Sequence, residues 1–139
     1  MKDIDYRGLE ALFAEKGVRL AYLFGSRARG EAKAESDFDI ALDLELPEAG
    51  LTRFEFKMDL TYRIAKIMGV SENKVDLVFL AEAPPLLQYQ VIKEGKLLFI
   101  KDEDYRAIYE ARIVKMYLDT QHLRRVQYRG IPVVNFEEG

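Results

Sequence analysis

The chain has no cysteine, no tryptophan, one histidine and four prolines in 139 residues. Without cysteine there can be neither a disulfide framework nor a thiolate zinc site. His122 has no second imidazole to share a metal or relay a proton with, so it receives no catalytic role. Basic charge is also not in excess: 21 Lys and Arg face 24 Asp and Glu, for a net charge of −3. That argues against the broad positive field by which nucleic-acid-binding domains attract phosphate backbones. No apolar run approaches the length of a membrane span, and Met1 to Asp5 has none of the features of a signal peptide. A cytoplasmic protein with no membrane partner and no direct nucleic-acid partner is therefore expected. What is present is 49% hydrophobic and 32% charged residues, the composition of a globular domain with a real core.

The informative stretch is Leu23-Phe24-Gly25-Ser26-Arg27-Ala28-Arg29-Gly30, continued by Ser36-Asp37-Phe38-Asp39-Ile40. It reads as an apolar strand, a Gly-Ser turn opening a short helix, a polar loop, and a strand with two aspartates. Gly25 has no Cβ, so backbone and phosphate can approach closely there. Ser26 adds a hydroxyl at a helix start, where free N–H groups attract anions. Arg29 follows three residues on, placed for the same phosphates. Side chains alternate along a strand, so Asp37 and Asp39 share one face, about 6.6 Å apart. Hard carboxylate oxygens at that spacing suit divalent cations. Alone, a Gly-Ser turn or an Asp-x-Asp pair is usually an ordinary turn or a solvated strand face. In this order, directly after an apolar strand, they point to a nucleoside triphosphate with metal ions.

Gly25-Ser26-x-Ala28-Arg29-Gly30 followed by Ser36-Asp37-x-Asp39 resembles the signature of the polymerase-β-type nucleotidyltransferases, and the chain as a whole is most similar to the minimal nucleotidyltransferase (MNT) family. The resemblance implies an α+β, two-layer fold: a small mixed sheet with helices on one side, plus a long C-terminal helix. It implies catalysis and metal ligation by Asp37, Asp39 and a third carboxylate on a neighbouring strand, at the position of Asp76. It also implies triphosphate contacts from Gly25, Ser26 and Arg29, two Mg²⁺ ions, and ATP as substrate. Arg27 and Lys33 are further cations nearby, Arg27 at a variable place in the motif.

Along the rest of the chain, Ile4 to Lys16 has helical spacing, closed by Gly17, and Val18 to Phe24 reads as a buried central strand. Asp37 to Leu44 is a second strand. A helix follows from Thr52, its cap, to about Met68, with Phe56, Leu60, Ile64, Ile67 and Met68 as its core stripe and Gly69 as C-cap. Lys74 to Leu80 is a third strand interrupted by Asp76. A lone strand aspartate commonly marks an exposed strand end; an interior one must be paired or metal-bound. Pro84 to Glu94 is a helix opened by prolines, and Lys96 to Ile100 a fourth strand. From Asp102 to about Tyr128 runs one helix, striped by Tyr105, Ile108, Tyr109, Ile113, Met116, Tyr117, Thr120 and Leu123. At roughly 39 Å it is longer than a domain of this size can cover. Its distal half is therefore either solvated or a surface for another protein chain. The tail Gly130-Ile131-Pro132-Val133-Val134-Asn135-Phe136 is apolar enough to dock, and Arg124, Arg125 and Arg129 are most simply solvated.

These readings divide the chain into a nucleotidyltransferase domain over residues 1–100 and a C-terminal helix and tail over 101–139. The family resemblance implies an antitoxin that binds a HEPN-domain ribonuclease toxin and transfers AMP to one of its tyrosines. Two alternatives stand beside it: an antitoxin acting by binding alone, and a small-molecule nucleotidyltransferase of the aminoglycoside-modifying kind. The intact Asp37, Asp39 and Asp76 speak against the first. The lack of a helical substrate domain speaks against the second.

Overall fold

The computed structural model describes residues 4–47 and 50–130, with the side chains of Leu51, His122 and residues 124–130 left aside. The readings on the tail beyond Gly130, and on Arg124, Arg125 and Arg129, lie outside the described residues and side chains.

Four strands, β1 (Val18–Phe24), β2 (Phe38–Leu44), β3 (Val75–Phe79) and β4 (Lys96–Ile100), form one sheet in the order β3-β2-β1-β4. β1 runs antiparallel to β2 and β4, while β2 and β3 are parallel. The parallel pair requires a crossover, and α2 (Leu51–Met68) supplies it. The other helices are α1 (Tyr6–Glu15), α3 (Pro85–Glu94) and α4 (Glu103–Gly130).

Local chemistry accounts for the helix ends. Asp5 caps α1 by accepting from the Gly8 N–H at 3.0 Å. Gly69 closes α2 in the left-handed conformation, φ 71°, which a side chain would disfavour. At the other end of α2 the cap is Gly50, and Thr52 lies inside the first turn rather than capping it. Pro85 opens α3, where its missing N–H has no helical partner to lose.

The mixed sheet and long C-terminal helix are those of the expected fold, but the covering is two-sided. α1 and α2 pack on one face, where Leu9, Leu12, Phe13, Leu60 and Ile64 meet Ala21, Leu23, Ile40, Leu42, Leu77 and Phe79. Helices on that side alone would leave Leu20, Tyr22 and Ala41 in water. Val91 of α3 covers them together with Leu80, and Tyr105 and Tyr109 of α4 extend the cover. The cause is visible in β1, whose burial is nearly continuous: a strand apolar on both faces must be covered on both.

α4 is held to the sheet by polar as well as apolar contacts. Tyr22 Oη donates to Glu110 at 2.7 Å, and Tyr105 Oη donates to Asp43 at 2.6 Å. Tyr117 stacks on Tyr89 of α3 at 4.1 Å. Ile113 is buried, yet Ile108, Met116, Leu118 and Leu123 are exposed by half or more of their surface or close to it. The stripe read from the sequence is thus inward-facing only in part. A 28-residue helix, about 42 Å long, outruns the sheet that covers it.

Candidate active site

The site is built where β1 ends and β2 and β3 begin. Phe24, the last residue of β1, pairs with Asp39, and Asp39 pairs in parallel register with Asp76. The chain leaves β1 through a single 3-10 turn, Gly25–Arg27, shorter than the helix expected there. The Gly25 carbonyl accepts from the N–H groups of Ala28 and Arg29, at 3.1 and 3.2 Å. Gly25 has φ 73°, in the region that favours glycine. It also has a second reason to lack a side chain, since a Cβ there would overlap the Asp39 carboxylate. The glycine therefore makes room for the aspartate as well as for an incoming group.

Asp39 is partly buried, and its carboxyl is pushed up to about 6. Loss of hydration is the main cause, followed by the charge of Asp76 and a hydrogen bond with it, then the charge of Asp37. Arg29 opposes these more weakly. Asp37 and Asp76 are both exposed, so Asp76 belongs to the exposed-strand alternative and not to the interior one. Its partner is nonetheless the neighbouring carboxylate. Arg29 is exposed and donates through Nε to Glu31 at 2.8 Å. That bond, more than the charges of Glu94 and Asp39, holds its guanidinium protonated. Ser26 sits half-buried in the same turn.

The structure thus brings Gly25, Ser26, Asp39 and Asp76 together, with Asp37 and Arg29 at the rim. Among the described residues, no three aspartate, glutamate or histidine side chains converge closely enough to chelate a metal as they stand. Asp39 and Asp76 are hard oxygen donors side by side whose mutual repulsion a divalent cation relieves, so the donor set fits Mg²⁺.

One residue escaped the sequence reading. The buried carboxylate of this sheet is Asp43, 5% exposed, which accepts from Tyr105 at 2.6 Å and from Arg19 at 3.3 Å. It lies on the Asp39 face of β2, and an aspartate within Ile-Ala-Leu-Asp-Leu carried the same signal that drew attention to Asp76.

Comparison with known proteins places the chain in a family. The polymerase β nucleotidyltransferase family model matches residues 8–104, spanning the turn and all three aspartates. The chain belongs to this family. Within it, the protein adenylyltransferase MntA of Shewanella oneidensis is 31% identical over 107 residues, covering 77% of this chain and 69% of that one. MntA of Aphanizomenon flos-aquae is 24% identical over 121 residues, 82% of this chain and 78% of the other. Among solved structures, a toxin–antitoxin complex with AMP-PNP superposes with a TM-score of 0.72 at 26% identity, covering 91% of this chain and 97% of its counterpart. The complex of tri-AMPylated Shewanella oneidensis HEPN toxin with MNT antitoxin has the same fold, with a TM-score of 0.67 at 24% identity over 94% and 98% of the two chains. As a minimal nucleotidyltransferase of the MntA type, this chain is an enzyme.

Proposed function

We propose that this minimal nucleotidyltransferase is an antitoxin that transfers AMP from ATP to a tyrosine of a cognate HEPN toxin and also binds that toxin. The observation that carries the reading is the Gly25–Asp39–Asp76 arrangement, in which a glycine with no side chain abuts a pair of repelling carboxylates. The MntA relatives and the solved toxin–antitoxin complex with AMP-PNP support the substrate and the partner.

In the transfer, the acceptor oxygen attacks the α-phosphorus, the bond from that phosphorus to the bridging oxygen breaks, and pyrophosphate leaves. Asp39 and Asp76, with Asp37 at the rim, would hold two Mg²⁺ ions. When bound, these ions stabilise charge on the attacking and leaving oxygens. Gly25 and Ser26 receive the β- and γ-phosphates at a turn that no side chain caps, and Arg29 exchanges Glu31 for phosphate oxygens. Asp76 is the exposed carboxylate of the strand pair and takes the proton of the acceptor hydroxyl. The exposed Ile108, Met116, Leu118 and Leu123 of α4 give the toxin an apolar surface to cover. On this reading residues 1–100 form the catalytic domain and 101–139 the partner-binding element.

The test is the intact mass of co-expressed HEPN toxin after incubation with Mg-ATP. Wild-type protein adds whole AMP units, and the Asp37→Ala, Asp39→Ala double variant adds none. An unchanged mass within a tight wild-type complex overturns the catalytic part and leaves neutralisation by binding.

A further inference from the structure

The loop between the Gly25 turn and β2 has no regular structure, yet four successive carbonyls at its end are all held by side-chain cations. Arg27 donates through Nε and Nη2 to the Ser36 carbonyl, at 3.2 and 2.8 Å, and through Nη2 to those of Lys33 and Ala34, each at 3.4 Å. Lys74 Nζ donates to the remaining carbonyl, that of Glu35, at 2.7 Å. The Lys33 N–H donates to Ser36 Oγ at 2.8 Å and folds the same segment on itself. Asp37 follows immediately.

The positions of the two cations give the arrangement its meaning. Arg27 lies two residues after Gly25, and Lys74 two residues before Asp76. The clamped carbonyls therefore tie the turn, the segment leading into β2 and the start of β3 to one another. The Arg27 guanidinium also stacks on Phe38, 3.9 Å from the ring centroid. Phe38 packs toward the α1–α2 core, so its ring and the guanidinium lie on the face of β2 opposite Asp39. Arg27 is thus turned away from the carboxylates and committed to backbone, despite its place in the phosphate motif.

We propose that Arg27 and Lys74 are positioning residues for nucleotidyl transfer: a carbonyl clamp that sets Asp37 and Asp39 against the Gly25 turn and Asp76. The inference rests on the catalytic reading given above. The fork sets two donors, Nε and Nη2, on the Ser36 carbonyl while its plane stays stacked on Phe38, a fixed geometry that an ammonium on a flexible stem does not reproduce. Its loss leaves the fold intact but loosens the carboxylates, and misplacement of about 1 Å costs up to ~100-fold in rate.

The test compares wild type with Arg27→Lys, Lys74→Met and Lys74→Arg in kcat and KM for ATP during transfer to the toxin. It also follows amide hydrogen exchange over residues 33–39 of the nucleotide-free chain, and thermal unfolding. Arg27→Lys is expected to lower kcat by about 10- to 100-fold with KM for ATP within about threefold. Exchange at 33–39 rises while the core amides and the melting temperature hold. Lys74→Met repeats the loss, and Lys74→Arg, which keeps a donor, recovers most of it. A raised KM with kcat kept makes Arg27 a phosphate ligand and overturns the clamp. Uniformly faster exchange with a lower melting temperature makes it ordinary scaffolding. If wild type transfers nothing, the catalytic reading falls by itself, and exchange still decides the clamp: unchanged rates at 33–39 refute it.

Discussion

Asp39→Asn should stabilise the metal-free protein near neutral pH while abolishing its activity. The Asp39 carboxyl lies at about 6, against 3.8 for an unperturbed one, because it is partly buried and faces Asp76 and Asp37. A group raised in this way favours the folded state only while protonated. Its contribution is complete below pH 3.8 and is lost as the pH rises through about 6. The full displacement corresponds to at most about 3 kcal/mol. Asp39 is only partly buried, and screening by water reduces this to ~1 kcal/mol. For a chain of this size that is about 3–5 °C in melting temperature. Differential scanning calorimetry of both proteins in chelator from pH 4 to 8 would measure it. The advantage of Asp39→Asn should be present at pH 7–8 and vanish toward pH 4, and saturating Mg²⁺ should reverse it by stabilising wild type alone. A variant no more stable than wild type at pH 7.5, or a gain independent of pH, would refute the carboxylate-repulsion argument.

Three other outcomes follow from the contacts. Gly25→Ala places a Cβ against the Asp39 carboxylate at a backbone φ of 73°. It should cost about 1–3 kcal/mol and displace Asp39, seen as lower chemical stability together with lost calorimetric binding of Mg²⁺ with AMP-PNP. Tyr105→Phe removes the shorter of the two bonds to buried Asp43, and should cost roughly 1–3 kcal/mol in urea unfolding. An unchanged midpoint would mean that water replaces the phenol there. Leu118→Asp with Leu123→Asp alters only exposed positions of α4, so stability should stay within about 0.5 kcal/mol per site. Affinity for the HEPN toxin, read by calorimetry, should fall at least tenfold if this surface is the interface.

How much was legible in the sequence depended on whether the signal was local. The spacing of Phe56, Leu60 and Ile64, the prolines before α3 and the glycine after Met68 are short-range signals, and α2, α3 and β4 lie where they place them. The candidate site was legible for the same reason: Gly25, Ser26, Asp37 and Asp39 are adjacent or alternate along one segment. Thr52 misled because it looked like a cap, while a glycine two residues earlier already ended the loop.

The sequence by itself determined most of the elements, the strand carrying Asp39, and the family, although that strand begins at Phe38 and leaves Asp37 just before it; these rest on backbone preferences and side-chain alternation that no distant contact need supply. Only the tertiary structure decided that Asp39 faces Asp76, that Asp43 and not Asp76 is the buried carboxylate, and that Arg27 and Lys74 grip the same loop. Burial and pairing are properties of whatever packs on a strand from elsewhere. Asp43 is interior because Tyr105 closes over it from 62 residues away. Asp76 is exposed because it stands near the open end of a strand, on an edge of the sheet that only β2 adjoins.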